Sequence, residues 1–225
     1  MSCSRSFNYS NGEFMIYDHV FPISDLPSLF CARKIQLETS DSILLLHPEP
    51  EIGMPTNSCG LFLSHEFIEK FSLDPIPPSV SISQSSPYSL RSEWLEKHLS
   101  ILLALDGASI STRAILKITT SSSGTISGSA PISGNISFKQ IHQIKTPSNL
   151  SNKWYGTIHT NPLEIMNKNS SCRNDQTYES WFNKRVDIPN TIEVRNGFGS
   201  ESNPNTIDII LEIVESYFDK HIRTN

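Results

Sequence analysis

Cysteine is sparse here: Cys3, Cys31, Cys59 and Cys172 stand far apart and form no C-x-x-C pair. That argues against a disulfide framework and for a reducing compartment. Basic runs are also missing, none being longer than a pair such as Arg33-Lys34 or Lys184-Arg185. With 18 Lys+Arg against 23 Asp+Glu, the net charge is −5. Phosphate backbones and anionic membranes are bound by clustered cations, so no nucleic-acid surface stands out. No apolar run approaches membrane-spanning length, and the start, MSCSRSFNYSNGEF, has no apolar signal core. The expected location is cytoplasm or nucleus. N-x-S/T triplets at Asn8, Asn135, Asn149 and Asn169 are what a chain rich in Asn and Ser produces by chance.

Several catalytic signatures are absent as well. No G-x-S-x-G elbow anchors Ser-His-Asp chemistry. His65-Glu66 lacks the second histidine of H-E-x-x-H, because Glu69 stands in its place, and reads as a solvated helix face. The Ser/Gly-rich segment Ser121 to Asn135 lacks both a P-loop lysine and the spacing of a dinucleotide fingerprint; it reads as a hairpin tip or mobile loop. His47, Glu49 and Glu51 could gather around a metal, but their interleaved prolines favour an extended exposed segment. Trp94, Trp154 and Trp181 read as core or interface residues.

What is present suffices for one sizeable core, since 37% of the 225 residues are hydrophobic. Residues 1–78 read as an irregular, partly β extension: ARKIQLE and SILLL as strands, SHEFIEKF as a short helix. The prolines of DPIPPS, Asp74 to Ser79, mark the expected boundary. Beyond it the pattern predicts a strand at SVSIS and a helix from Tyr88 to Leu99. A further strand is predicted at SILLALDG, another at TRAILKITT, and a helix at FKQIHQIK. WYGTIH follows as a strand. The clearest element is a helix over residues 206–222, with Asp208 in its first turn and Lys220, His221 and Arg223 at its end. Its apolar set is wider than one stripe, so Ile210, Val214, Tyr217 and Phe218 are expected to face a partner.

The segment WYGTIHTNP, Trp154 to Pro162, with Ser170, Ser171 and Asp175 after it, resembles the MPN/JAMM family of zinc isopeptidases and their inactive relatives. The resemblance covers about residues 79–185. It implies an α+β fold: a mixed sheet flanked by helices, MPN-like over residues 79–225, with the amphipathic helix at its C-terminal end. It also implies a degenerate zinc site. His159 and Asp175 would be the surviving ligands, while Asn161 replaces the second histidine and Ser100 stands where the family has its catalytic glutamate. Cys172 is the thiol placed to substitute as a ligand, and Glu96, a turn before Ser100, reads as solvated. Two ligands without a base would not make this hydrolase, because the metal-bound water needs an acceptor for its proton. The resemblance thus implies a non-catalytic scaffold without cofactor, held in a hetero-complex or homo-oligomer. Two alternatives remain open: a self-assembling viral matrix or coat subunit, and a zinc isopeptidase with altered ligands.

Overall fold

The computed structural model describes residues 15–128, 132–162 and 168–223. The readings that rest on Cys3, Asn8 and the first 14 residues lie outside it, as does part of the Ser121–Asn135 segment. A six-stranded mixed sheet forms the centre, in the order β5-β2-β1-β8-β7-β6. Its members are β1 (Met15–Phe21), β2 (Ile43–His47), β5 (Ser109–Thr112), β6 (Ala114–Thr120), β7 (Ser123–Gly128) and β8 (Gly134–Ile141). β5, β2, β1 and β8 run parallel, while β6, β7 and β8 form an antiparallel meander.

Parallel neighbours need long crossovers, and α1 (Leu26–Glu38) and α3 (Ser92–Leu105) supply two of them. β2 is buried along its whole length because each face has its own cover. Ile43 and Leu45 join the helices α1, α3 and α4 (Ile207–His221), whereas Leu44 and Leu46 join the meander. This sheet takes strands from both sides of the Asp74–Ser79 prolines, with β1 and β2 before them and β5 and β8 after.

A second sheet is antiparallel, in the order β10-β11-β9-β12. It comprises β9 (Asn152–His159), β10 (Ser170–Cys172), β11 (Tyr178–Phe182) and β12 (Thr191–Gly199). Trp181 lies over two glycines of this sheet: a methyl at Gly156 or Gly197 would come within 2.7 or 2.6 Å of its ring. A two-stranded pair, β3 (Leu61–Phe62) with β4 (Tyr88–Ser89), adjoins β10 and α4, and the short helix α2 (Glu66–Lys70) buries only Phe67.

The coarse α+β expectation stands, a mixed sheet with helices packed on it. Several element assignments change. ARKIQLE belongs to α1, which is buried on nearly every side from Leu26 to Ile35 and so carries no amphipathic stripe. FKQI belongs to β8, whose Ile136 and Phe138 alternate inward between β1 and β7. The apolar run ILLAL continues α3. Among the described residues no helix is long and apolar enough to cross a membrane.

Candidate functional site: a crevice at the strand ends

β1 and β2 end beside each other, and the chain leaving β1 turns directly into α1. Asp25 caps that helix, its Oδ1 accepting from the Ser28 N–H at 3.1 Å, and Pro27 stands in the first turn. Between these strand ends, the mid-portion of α3 and the second sheet lies a cavity of about 310 Å³. Ile23, Pro55, Ile144, Trp181, Phe198 and Ile213 make its apolar walls. Its polar groups are Asp25, His47, Glu96 and Asn205, with Ser24, Asn57 and the hydroxyls of Thr56, Ser58 and Thr146.

His47, the last residue of β2, is only 8% exposed, and neither ring nitrogen has a hydrogen-bond partner. Burial lowers its pKa, opposed by the charges of Glu49 and Asp25 and by the Glu51 carbonyl, which approaches the ring without meeting hydrogen-bond geometry. The imidazole is therefore neutral and keeps both a free N–H and a free lone pair. Glu96 on α3 is buried, and that burial pushes its carboxyl up to about 7. Thr56 Oγ1 at 2.7 Å and Ser58 Oγ at 2.9 Å both donate to its Oε1, leaving Oε2 to carry the proton when there is one. Asp25 opens onto the crevice yet is ringed by protein, and this enclosure raises its carboxyl against the bonds from Ser28. Asn205 donates its amide N–H to the Leu150 carbonyl at 3.1 Å, while its buried Oδ1 has no partner. Burial drives the Cys59 thiol far up, so it is inert.

The wall on the second-sheet side is fixed by buried ion pairs. Arg195 on β12 donates to Glu93 Oε2 and to Ser92 Oγ at the start of α3, each at 2.8 Å. Arg173 donates to Glu179 at 2.7 Å, and the other oxygen of Glu179 accepts from the Gly60 N–H and from Trp181 Nε1. These bonds tie α3 and the 56–60 segment to the second sheet.

The sites expected from the sequence lie elsewhere. His159 is fully buried; its Nδ1 meets the Asn161 carbonyl at 2.6 Å and its Nε2 the Ser180 hydroxyl at 3.0 Å. Asp175 sits in a turn, where its carboxylate accepts from the Thr177 N–H and hydroxyl at 3.1 and 2.7 Å. The Cys172 thiol is directed to the Arg173 carbonyl at 3.5 Å. Among the described residues no three His, Cys, Asp or Glu gather as a metal site. Ile210, Val214 and Phe218 are buried in the core that this chain builds around α1, with Tyr217 half-buried beside them. Glu96 and His47, read as solvated and as part of an exposed segment, are instead buried in the crevice. One overlooked signal was Asp25-Leu26-Pro27, a cap followed by proline. The other was a histidine ending an all-apolar strand.

The sequence matches no family model, and no curated protein matches it either. Its fold resembles solved structures of three enzymes. A geranylgeranyl bacteriochlorophyll reductase-like protein from Thermoplasma acidophilum matches with a TM-score of 0.55 at 11% identity, over 93% of this chain and 63% of that one. The p-nitrophenol 4-monooxygenase PnpA from Pseudomonas putida gives 0.54 at 11% identity, over 78% and 60%. The myxobacterial chondrochloren halogenase CndH, a variant of FAD-dependent halogenases, gives 0.53 at 10% identity, over 93% and 56%. The chain thus spans less than two thirds of the length of each.

These neighbours overturn the MPN/JAMM resemblance, and with it the inactive-scaffold reading, the viral matrix or coat alternative and the zinc isopeptidase alternative. The physical reason is local: an aromatic and β-branched strand ending in histidine arises in any antiparallel sheet, and here that histidine is bonded within its own sheet. The expectation of no cofactor, with zinc as the sole candidate, is corrected too, because CndH among these neighbours is a variant of FAD-dependent halogenases, which makes flavin the group to set against this chain's residues.

The residues do not fit a flavin dinucleotide at the strand ends. A pyrophosphate there needs a glycine-rich turn, bare N–H groups at the helix N-terminus and an acidic residue near the end of β2 for the ribose. This chain has no glycine from Phe21 to Glu38. A carboxylate caps the helix, a proline removes one donor, and β2 ends in His47, with the nearest acid, Glu49, exposed two positions beyond. No Lys or Arg lines the cavity among the described residues. No step through a dinucleotide is derived for it.

Proposed function

We propose that this chain binds a small organic molecule in the crevice and exchanges protons with it through Glu96 and His47. The observation that carries the reading is His47, a buried imidazole with both nitrogens unpartnered at a strand end, where α/β sheets take their ligands. Leaving such a group unpaired costs about 1–3 kcal/mol, a cost that a ligand can offset. A carboxyl that titrates near neutrality in the same cavity as a neutral imidazole suits proton transfer in either direction. The small cavity and the missing pyrophosphate seat favour a ligand smaller than a dinucleotide.

Ligand-observed NMR with a fragment collection tests this. Binders should shift the His47 ring signals, and His47→Phe should abolish their binding while stabilising the fold by about 1 kcal/mol. A collection with no binders, or binders that leave His47 unmoved, would sink the reading.

A further inference from the structure

The polar groups of the crevice share one character. Both Glu96 and Asp25 are carboxyls, Asn205 offers an unpartnered Oδ1, and neutral His47 offers a lone pair. The hydroxyls of Thr56 and Ser58, which could donate to a ligand, are already committed to Glu96. Besides the His47 N–H, the donors left over are the Asn57 amide and the Thr146 hydroxyl, both on exposed residues, so the buried part of the lining presents mainly acceptors. No Lys or Arg of the lining balances the two carboxyls, although Arg195 on β12 acts on Glu96, and a buried acceptor without a donor, as Asn205 Oδ1 is, is costly. The buried, unpartnered nitrogens of His47 are a separate sign that a ligand is missing, independent of the acidic pair.

We propose that the crevice is a site for an organic cation, an amine or amidine carried on a flat apolar body. The nitrogen would lie between Asp25 and Glu96 and donate to Asn205 Oδ1 and His47, with the apolar body against Trp181 and Phe198. This rests on the crevice being a ligand site at all. The groups acting on Glu96 are Asp25 before α1, Arg195 on β12 and the two hydroxyls, while His47 and Asn205 share its cavity. A cation favours the ionised carboxyl, so binding expels the Glu96 proton and tightens as pH rises through about 7.

Benzamidine, benzamide and benzoate present one ring with a cationic, neutral or anionic head, and FAD is the dinucleotide control. Their binding to the full chain is read from the His47 ring signals. Benzamidine should bind at least about tenfold more tightly than benzoate or FAD, with its affinity rising between about pH 6 and 8. Glu96→Gln should flatten that rise while still unfolding in urea as one cooperative transition, a sign that the fold is kept. Benzoate or FAD binding as tightly as benzamidine would overturn the cation and leave the crevice standing as a ligand site. So would a benzamidine affinity indifferent to pH, or benzamidine failing where other fragments shift His47. If neither these probes nor any fragment moves His47, the crevice reading itself fails.

Discussion

Glu93 and Glu96 stand one turn apart on α3 and both are buried, yet they meet opposite surroundings. Glu93 faces the second sheet. Burial pushes its carboxyl up, but the Arg195 charge and the bonds from Arg195 and Arg91 prevail and hold it at about 2. Glu96 faces the crevice, where two hydroxyls do not compensate for burial and the carboxyl rises to about 7. A buried carboxylate with a full set of partners joins layers. One left short of charged partners keeps its proton up to neutrality.

The largest expected effect comes from breaking the satisfied side. Arg195→Met leaves the buried Glu93 carboxylate with the partly exposed Arg91 alone and should cost about 3 kcal/mol in urea unfolding. A loss under about 1 kcal/mol would mean that Glu93 takes up a proton or reaches water without cost.

Next is the pH dependence of stability, where the two glutamates act with opposite sign. The depressed Glu93 contributes stability that is complete above its unfolded pKa near 4.5 and is lost as pH falls towards about 2. The raised Glu96 does the reverse. The folded state holds its proton longer than the unfolded state, so stability declines as pH rises from about 4.5 to 7. Glu96→Gln keeps an acceptor for Thr56 and Ser58 and removes that decline. It should be about 2 kcal/mol more stable than wild type above pH 7 and equal to it near pH 4. Equal stability at both pH values would show that Glu96 is solvated.

The smallest effect sharpens the contrast. Asp25→Ser leaves an oxygen to cap α1, so unfolding should shift by less than about 0.5 kcal/mol. A larger loss would make Asp25 a structural carboxylate and bring it to Glu93's side of the comparison.

The sequence was legible where an element meets water along one side. Helix α4 carried its own periodicity and end charges, and WYGTIH and AILKITT read as the strands they are. It misled where burial erased the pattern. Helix α1 is enclosed on almost every side, and Phe138, Ile141 and Ile144 in β8 and the residues after it happen to repeat at helical spacing. The candidate site was the least legible part. Its residues come from the chain before α1, the end of β2, α3 and the segment preceding α4, so no local window of sequence holds two of its key side chains together. WYGTIHTNP, by contrast, offered a dense local motif whose histidine is bonded to its own sheet.

Composition and pattern by themselves determined a mixed α and β chain with enough apolar residues for a substantial core, a C-terminal helix with an acid in its first turn and bases in its last, and no glycine-rich turn after β1. Those properties depend on residue type and near spacing alone. Only the tertiary structure decided which carboxyl found a guanidinium and which found a cavity. The environment of Glu93 is made by a strand about a hundred residues distant in the chain, and that of Glu96 by the 56–58 segment and the chain before α1.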